Sequence, residues 1–210
     1  MAAAQTPDTP AHTAGLLLAA GAGRRLGGRP KALLEYHGEP LVDRASRALR
    51  DGGCDPVHVV LGAARDEVAR RARLAGCVRV DHPGWAQGMG SSLRAGLASL
   101  AATPARAAVV MLVDQPGIGA PVVARLLAAH AAGARLVAAA YHGTRGHPVL
   151  LGREHWAGAA AAARGDRGAR DHLHRHRAQL TLVECGDIAV PRDIDTPADL
   201  RWLSEDAGPR

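Results

Sequence analysis

A glycine-rich turn with a single lysine is the segment of this sequence best suited to hold phosphate groups. It runs from Leu18 to Lys31, directly after an apolar run that predicts a strand. Gly21 and Gly23 would allow a ligand to approach the backbone closely, because glycine has no side chain in the way. Lys31 is the only lysine, and every other one of the 26 basic residues is arginine. A compact ammonium differs in chemistry from a planar guanidinium, so Lys31 is either a phosphate ligand or a chance survivor of an arginine-rich composition.

Two common nucleotide-binding loops do not fit this turn. A Walker A loop requires G-x-x-x-x-G-K-[ST], and the two glycines at 27–28 are not followed by that dipeptide. A dinucleotide fingerprint requires G-x-G-x-x-G, whereas Gly21, Gly23 and Gly27 are spaced one residue too widely. The second predicted strand also ends at Gly62 without an acidic residue that could hold a ribose. Dinucleotide binding is therefore disfavoured but stays an alternative.

Asp114 is the candidate metal ligand that follows from the pattern of residues. It comes directly after the apolar run Val109–Val113, so its carboxylate would lie outside the carboxyl end of a strand, where open α/β sheets bind ligands. Mg²⁺ is usually bound through one or two carboxylates together with substrate phosphates. The alternative is a turn or a helix cap, since Gln-Pro follows Asp114.

Short β-type runs alternate with helical patterns along the chain. This alternation predicts a three-layer α/β/α fold around a mostly parallel, Rossmann-like sheet. The predicted strands are Gly15–Ala20, Val57–Leu61, Val78–Asp81, Ala107–Val113, Leu136–Tyr141, Pro148–Leu151 and Leu180–Cys185. The predicted helices are Leu41–Arg50, Asp66–Leu74, Ser91–Leu100, Val122–Ala132, Glu154–Ala163 and Ala169–His176. A last helix is predicted after Thr196, because Pro197 suits its first position and Asp199 lies three residues after the cap.

Composition narrows the possible classes of protein. A chain of 210 residues that is 47% hydrophobic and 22% charged suits one folded domain, predicted over residues 14–203 with flexible tails at 1–13 and 204–210. An aromatic content of 2% argues against a surface that stacks nucleic-acid bases, and the net charge of +6 suits an anionic ligand.

Cysteine content and hydropathy bear on the compartment. Three widely spaced cysteines without a C-x-x-C pair predict neither a disulfide framework nor a zinc site, and favour the cytoplasm. We expect no secretory signal and no membrane association, because no apolar stretch reaches the roughly 20 residues of a membrane span.

The glycine-rich turn and several later segments together resemble the MobA-like nucleotidyltransferases, and among them the molybdenum cofactor cytidylyltransferases most. In the turn, the resemblance lies in Leu18-Ala19-Ala20-Gly21, Arg25-Leu26-Gly27 and Lys31. The later segments are Gly88-Met89-Gly90-Ser91-Ser92-Leu93, Asp114-Gln115-Pro116, Gly146-His147-Pro148, the stretch 165–170, and Asp193-Ile194-Asp195-Thr196-Pro197. Each is short, but together they occur in order from about residue 15 to residue 203. The fold implied is that of the nucleotide-diphospho-sugar transferases.

The resemblance implies a Mg²⁺-dependent transfer of CMP from CTP to a phosphorylated molybdopterin-type cofactor, with release of pyrophosphate. It implies that Arg25, Lys31 and Asp114 are catalytic and that Asp114 and Asp195 bind Mg²⁺. The implied nucleotide-binding residues are Leu18, Ala19, Ala20, Gly21, Gly23, Arg25, Lys31, Gly88, Ser91 and Ser92. The implied acceptor-binding residues are Gly146, His147, Pro148, Asp166 and Arg170. A molybdenum hydroxylase is the implied recipient of the product, and no nucleic-acid partner is expected.

Other functions stay open at this point. Guanylyl-transferring relatives tend to have glycine in place of Ala20 and asparagine in place of Asp195, which favours CTP over GTP. Some MobA-like chains, such as nicotine blue oxidoreductase, use a nicotinamide cofactor instead. A third alternative is a carrier that passes a bound molybdenum cofactor on without turnover.

Several candidate residues also have plain structural interpretations. Arg25 could be a solvated arginine, Asp195 a helix cap, and Gly88–Leu93 an ordinary helix start. His147 could be a packed or solvated histidine. His172 and His176 are spaced to chelate a transition metal on a helix, but a solvated polar helix face is favoured because the sequence indicates no further ligand.

Overall fold

A computed structural model of the protein describes residues 12–204. The strands are β1 (Thr13–Ala19), β2 (Glu35–Tyr36), β3 (Glu39–Pro40), β4 (Val57–Leu61), β5 (Cys77–Asp81), β6 (Ala107–Leu112), β7 (Leu136–Tyr141), β8 (Thr144–Gly152) and β9 (Leu180–Glu184). The α-helices are α1 (Leu41–Asp51), α2 (Arg65–Arg71), α3 (Met89–Ala101), α4 (Ala120–Ala131), α5 (Arg153–Ala162) and α6 (Arg170–Arg175).

Seven strands form one twisted sheet in the order β5-β4-β1-β6-β8-β7-β9. β1 lies at its centre and pairs in parallel with β4 and β6. Within residues 12–204, β8 is the one strand of this sheet that runs antiparallel to its neighbours. Helices cover both faces, so the predicted three-layer α/β/α fold with a mostly parallel sheet is confirmed.

Alternate residues of β1 pack into two hydrophobic layers, one on each face of the sheet. Leu17 packs in the layer beneath α1 and α4, whereas Leu16 and Leu18 pack in the layer beneath α3 and α5. All three leucines are at most 8% exposed, which confirms that an uninterrupted apolar run marks a strand covered on both faces. The buried centre of the sheet gives a rigid base for the loops at the carboxyl ends of β1 and β6.

The structure also differs from the predicted elements. The β2–β3 hairpin was not predicted, because two-residue strands are too short to produce a hydrophobic alternation; its turn uses His37 and Gly38, both at positive φ. α2 ends at Arg71 instead of Leu74, where the Asp43 carboxylate accepts the Leu74 N–H at 2.8 Å and the backbone turns to positive φ.

Differences at the ends of other elements are smaller. β8 begins at Thr144, four residues before the predicted strand, because it pairs with β7 in a hairpin. The final helix, Pro197–Leu203, is a 3₁₀ helix.

The predicted tails fall almost wholly outside the described residues, although Thr13 belongs to β1. Cys54, Cys77 and Cys185 carry free thiols, as expected from their spacing. Among residues 12–204, no helix is both long and apolar enough to cross a membrane.

Candidate active site

The glycine-rich turn begins where β1 ends and is held in shape by its own backbone. The Gly23 carbonyl accepts hydrogen bonds from the N–H groups of Leu26, at 2.8 Å, and Gly28, at 3.1 Å. Gly23 has φ 62°, and a Cβ added there would lie 1.8 Å from the Arg29 carbonyl oxygen. Position 23 therefore requires glycine. A Cβ at Gly21 would meet nothing within 4 Å, so that glycine is needed only if a ligand comes close.

Lys31 lies between two carboxylates from distant parts of the chain. Its Nζ donates to Asp114 Oδ2 at 2.7 Å and also to Asp195 Oδ1. The side chains of Lys31 and Asp114 are 16% and 18% exposed, whereas that of Asp195 is 41% exposed. Burial lowers the pKa of Lys31, but the charges and hydrogen bonds of Asp114 and Asp195 outweigh it and leave this pKa raised. The ammonium is therefore firmly protonated, and its charge offsets part of the paired negative charge.

Asp195 is held beside Asp114 by the backbone. The Ile194 N–H donates to the Asp114 carbonyl at 2.9 Å, which joins the segment before the final helix to the end of β6. Thr196 caps that helix, as predicted, in a capping box with Asp199, whose carboxylate accepts hydrogen bonds from the N–H and the hydroxyl of Thr196 at 2.7 and 2.8 Å. The Asp195 carboxylate is thus not used as a cap and faces Lys31 and Arg25.

The donor set fits a divalent cation of the hard, oxygen-preferring type. Asp114 Oδ1 is buried and has no hydrogen-bond partner, although a carboxylate oxygen away from water is costly to leave unpaired. Asp114 and Asp195 both contact the same ammonium, so their oxygens converge on one point. Two converging carboxylates with a spare buried oxygen are the kind of donors that Mg²⁺ or Mn²⁺ binds together with phosphate oxygens.

A cavity of about 400 Å³ opens over these residues. Of the predicted nucleotide-binding residues, eight line it: Leu18, Ala20, Gly21, Gly23, Arg25, Lys31, Gly88 and Ser92. Asp114 and Asp195 lie on the same wall. The Arg25 side chain is 77% exposed and lies 3.7 Å from Asp195, so it reaches the site from the solvent side.

Two predicted nucleotide-binding residues do not reach this cavity. Ala19 is 6% exposed and packs in the hydrophobic layer of α1. The Ser91 hydroxyl is buried and lies 2.7 Å from the Gly88 carbonyl oxygen and 2.8 Å from His82 Nε2. Since these partners occupy the hydroxyl, Ser91 stabilises the start of α3, and neither Ser91 nor Ala19 lines the cavity.

The sequence reasoning missed Trp85, Gln87 and Met89, which line the cavity from the segment before α3. One signal was available, because Trp85 is one of three tryptophans in a chain that is only 2% aromatic. Met89 lies in the segment Gly88–Leu93 that resembles the family but was not assigned a binding role, and no motif included Gln87.

Gly88 and Gly90 allow the start of α3 to lie directly against residues 163–166. A Cβ at Gly88 would come within 2.7 Å of the Gly165 backbone and of Asp166 Oδ1, and a Cβ at Gly90 within 2.7 Å of the Arg164 nitrogen. Asp166 Oδ1 accepts a hydrogen bond from the Met89 N–H at 3.3 Å, where the helix dipole favours a negative charge. The close packing brings Asp166 into the walls of both the first cavity and a second one.

The second cavity, of about 580 Å³, adjoins the first. Four residues line both: Leu18, Met89, Leu112 and Asp166. Of the predicted acceptor-binding residues, Gly146, His147, Asp166 and Arg170 line the second cavity, whereas Pro148 is buried in β8 and does not. Arg145 and Arg167 also line it and were not predicted. Its walls carry three arginines against two aspartates, Asp166 and Asp193, so the second cavity is net positive and suits an anionic ligand.

His147 is buried near Asp114, and its surroundings favour the neutral imidazole. Burial lowers the pKa of His147, and the nearby Asp114 opposes that effect only in part. Its Nδ1 is buried without a hydrogen-bond partner, and its backbone carbonyl accepts from the Tyr141 hydroxyl at 2.7 Å. A neutral imidazole with one free nitrogen can accept or donate a hydrogen bond to a ligand in this cavity.

The expected solvated histidine face on α6 is wrong. His172 is 2% exposed, because its ring packs against α5. His155, which was not connected with the pair from the sequence, lies beside it: His155 Nδ1 is 3.1 Å from His172 Nε2. The residues are 17 positions apart, on two different helices, so helical spacing alone could not have revealed the third histidine.

Residues 15–180 match the MobA-like NTP transferase domain. The chain belongs to this family. The match covers the glycine-rich turn, Lys31 and Asp114, and it stops short of Asp195. The family is described by NTP transfer, which agrees with the resemblance seen in the sequence.

Two named relatives of this chain differ in the activity that their names give. The chain is 42% identical over 196 residues to nicotine blue oxidoreductase from Paenarthrobacter nicotinovorans, covering 90% of this chain and 94% of that protein. It is 35% identical over 152 residues to molybdenum cofactor guanylyltransferase from Acidiphilium cryptum, covering 72% and 70% of the two chains.

A solved structure extends the likeness over nearly the whole chain. The crystal structure of Rv0371c from Mycobacterium tuberculosis is 31% identical, with a TM-score of 0.80, and the match covers 93% of this chain and 98% of that one. A second crystal structure of Rv0371c is a complex with manganese.

Proposed function

We propose that this MobA-like protein transfers CMP from CTP to a phosphorylated molybdopterin-type acceptor and releases pyrophosphate. The observation that carries the proposal is the convergence of Lys31, Asp114 and Asp195 next to the glycine-rich turn. A phosphate oxygen of the acceptor would attack the α-phosphorus of CTP, and the bond from that phosphorus to the pyrophosphate oxygen would break. Such a reaction depends on alignment and on neutralising charge, and it needs no covalent nucleophile.

The charged side chains have distinct tasks in this proposal. Lys31 and Arg25 approach the same carboxylate from the buried and the solvent side, so both ammonium and guanidinium can oppose charge on the phosphate oxygens. Asp114 and Asp195 would hold Mg²⁺, which would neutralise the triphosphate and align it with the attacking oxygen. The buried Asp114 Oδ1 supports this assignment, because a metal would supply its missing partner.

The second cavity is the proposed acceptor site. It shares a wall with the first cavity, so a ligand in one can reach a ligand in the other. Arg145, Arg167 and Arg170 provide the positive charge that a phosphorylated ligand needs, and His147 offers a neutral hydrogen-bonding group. The volume of about 580 Å³ lies within the usual range for small-molecule sites.

Ala20 supports CTP over GTP. Ala20 lines the first cavity, and its methyl group lies against Gly62. A Cβ added at Gly62 would be only 2.8 Å from Ala20 Cβ. The methyl thus has no room to move away from a ligand, and a purine close to the backbone would be crowded. Guanylyl-transferring relatives tend to have glycine at this position, as noted above.

A panel of nucleotides tests the proposal. The protein is incubated with each of CTP, GTP, ATP and UTP, together with Mg²⁺ or Mn²⁺ and a molybdopterin-type acceptor, and pyrophosphate is measured. We expect acceptor-dependent pyrophosphate release with CTP. Release with another triphosphate alone would overturn the choice of base, and no release with any of them would overturn nucleotidyl transfer.

Nicotinamide-dependent reduction is the second candidate function. It is favoured by the 42% identity to nicotine blue oxidoreductase over 90% of this chain. It is disfavoured by the wide glycine spacing and by the paired carboxylates at Lys31, which a neutral hydride-transfer site does not need. This candidate would be established instead by two results together. The protein would bind NADH or NADPH without a divalent metal, and it would not bind CTP when a divalent metal is present.

A further inference from the structure

Three histidines meet where α5 lies against α6. His155 lies on α5, His172 lies on α6, and His176 follows the end of α6. One nitrogen from each residue can be chosen so that all three nitrogens lie within 4.8 Å of one another. The rings are also close, with centroids 4.4 Å apart for His172 and His176 and 5.4 Å apart for His155 and His176.

The closest pair already has the spacing of metal ligands. His155 Nδ1 and His172 Nε2 are 3.1 Å apart. Two imidazole nitrogens bound to a tetrahedral Zn²⁺ at about 2.0–2.1 Å are separated by about 3.3 Å. His176 is half-buried at the rim, and its nitrogen lies within 4.8 Å of the nitrogens of the other two histidines.

The His172 ring is almost wholly enclosed by the protein. His172 is 2% exposed, and its Nδ1 is buried without a hydrogen-bond partner. Its Nε2 faces His155 Nδ1 and is the nitrogen available to a metal.

Gly158 on α5 makes the close approach possible. A Cβ at this position would lie 2.7 Å from His172 Cε1 and 3.0 Å from His172 Nδ1. Any larger residue would push the His172 ring away from α5 and from His155. Glycine in the middle of a helix is unfavourable by about 1 kcal/mol relative to alanine, and here it permits the contact between the two helices.

We propose that His155, His172 and His176 bind one first-row divalent transition metal, with Zn²⁺ as the best fit, and that this metal joins α6 to α5. Three imidazole nitrogens suit zinc and the neighbouring transition metals, whereas Mg²⁺ prefers oxygen ligands. This site is chemically distinct from the Asp114–Asp195 pair, which offers only oxygens. A solvent molecule would take the fourth position, since His176 is at the rim.

The metal would stabilise one wall of the second cavity. α6 begins at Arg170, which lines that cavity, and the preceding residues 166–169 line it too. α6 has only six residues and is too short to be stable without tertiary contacts. A metal between α5 and α6 would therefore fix the Asp166–Arg170 segment in place, whether or not the proposed nucleotidyl transfer is correct.

Cobalt(II) provides a direct test. The full-length protein is titrated with Co²⁺ in the presence of excess Mg²⁺, which occupies carboxylate sites, and visible absorption is recorded. We expect the intense bands of tetrahedral Co²⁺ and their loss on addition of Zn²⁺. Weak octahedral absorption alone would overturn the proposal.

Matched variants assign the ligands. His176→Gln changes a half-buried residue at the rim, and His174→Gln changes an exposed histidine on the same helix. We expect His176→Gln to lower the affinity for Co²⁺ by about 100-fold or more, because removing even a group that merely supports a ligand costs about 10–100-fold. His174→Gln should bind as the wild type does. Equal affinity for all three proteins, or an equal loss in both variants, would overturn the site, and circular dichroism confirms that both variants are folded.

Discussion

The Lys31 ammonium donates a hydrogen bond to Asp114 Oδ2 at 2.7 Å, across 83 residues of the sequence. The same ammonium contacts Asp195, so one cation holds together the turn after β1, the end of β6 and the segment before the final helix. An arginine at this position would present a wide, planar group with five donors and no freedom to rotate its charge toward a phosphate. The geometry thus gives a physical reason for one lysine in a chain that otherwise uses arginine.

Two variants of Lys31 should separate the effect of its charge on catalysis from the effect of its shape. We expect Lys31→Arg to lower kcat for nucleotidyl transfer by about 100-fold, because the guanidinium cannot fit the same point between the carboxylates and the phosphates. Lys31→Gln should lower kcat at least as much and should bind Mn²⁺ more tightly than the wild type, since it removes a cation that competes for the same oxygens. Steady-state kinetics and Mn²⁺ titration give both quantities.

Arg29→Lys is the matched control for these variants, since Arg29 is an exposed residue of the same turn that does not line the first cavity. It should behave as the wild type does. Near-normal turnover of Lys31→Arg would show that a compact ammonium is not required.

Substitutions should distinguish the Asp114 and Asp195 carboxylates from that of the nearby Asp193. Asp114→Asn should abolish the stabilising effect of Mg²⁺ on nucleotide binding and reduce kcat by about 1,000-fold, because a neutral amide neither attracts the metal nor balances Lys31. Asp195→Asn should have a smaller effect of the same sign, since Asp195 is more exposed. Thermal shift with CTP, with and without Mg²⁺, measures the first effect.

Asp193→Asn is the control for the carboxylates. Asp193 accepts a hydrogen bond from Gln115 Nε2 at 2.8 Å and lines the second cavity instead of the first, so this variant should keep its response to Mg²⁺ even if acceptor binding changes. A wild-type response in Asp114→Asn would count against the proposed metal site.

The central part of the fold and the core of the site were predictable because they depend on local patterns. The apolar runs of β1 and β6 are buried on both faces, and a parallel pair must bring the residues that follow them to one edge of the sheet. The amino-acid pattern alone is therefore sufficient to place Lys31 and Asp114 close together. Asp195 depended on the resemblance to a family, because nothing in its own surroundings distinguishes it from a helix cap.

The parts that could not be predicted depend on contacts between distant segments. Ser91 turns into the protein because Gly88 and His82 offer partners for its hydroxyl. His155 contacts His172 because Gly158 permits α5 and α6 to approach closely. The sequence pattern of either helix alone does not predict this contact. The wall residues Trp85 and Gln87 likewise depend on the position of their segment, because they precede the Gly88–Leu93 motif and belong to none themselves.

Gly23 should be essential to the shape of the turn. We expect Gly23→Ala to destabilise the protein by about 2 kcal/mol, because alanine is strained at positive φ and its Cβ would collide with the Arg29 carbonyl oxygen. Gly21→Ala is the control for stability, since its Cβ has open space. Urea denaturation measures both, and an equal free energy of unfolding for the two variants would contradict the role assigned to Gly23.

Ala20 should influence the choice of base. We expect Ala20→Gly to raise the ratio of kcat/KM for GTP to that for CTP by about 10-fold, because removing one methyl group from a tight wall typically changes discrimination by this order. Competition kinetics with both triphosphates give the ratio directly. An unchanged ratio would mean that the base does not approach Ala20.

Glu184 should hold the turn between β7 and β8 in a pH-dependent manner. Its carboxylate accepts hydrogen bonds from the N–H groups of Gly143, Gly186 and His142 at 3.0, 2.8 and 2.9 Å, and these lower its pKa. A carboxyl group whose pKa is lowered on folding contributes stability above its unfolded pKa, and this contribution is lost as the pH falls through the folded pKa. The turn continues into Arg145, which lines the second cavity, so its order bears on acceptor binding.

Hydrogen exchange can detect this effect residue by residue. Glu184→Gln should reduce the protection of the His142 and Gly143 amides at about pH 6, and the difference from the wild type should disappear as the pH falls through the lowered pKa of Glu184, because the wild-type carboxylate then becomes protonated as well. Glu67→Gln is the control, because Glu67 pairs with Arg71 on the surface of α2, far from this turn in the sequence. A difference that persists at low pH would show that the Glu184 side chain acts through its shape and not through its charge.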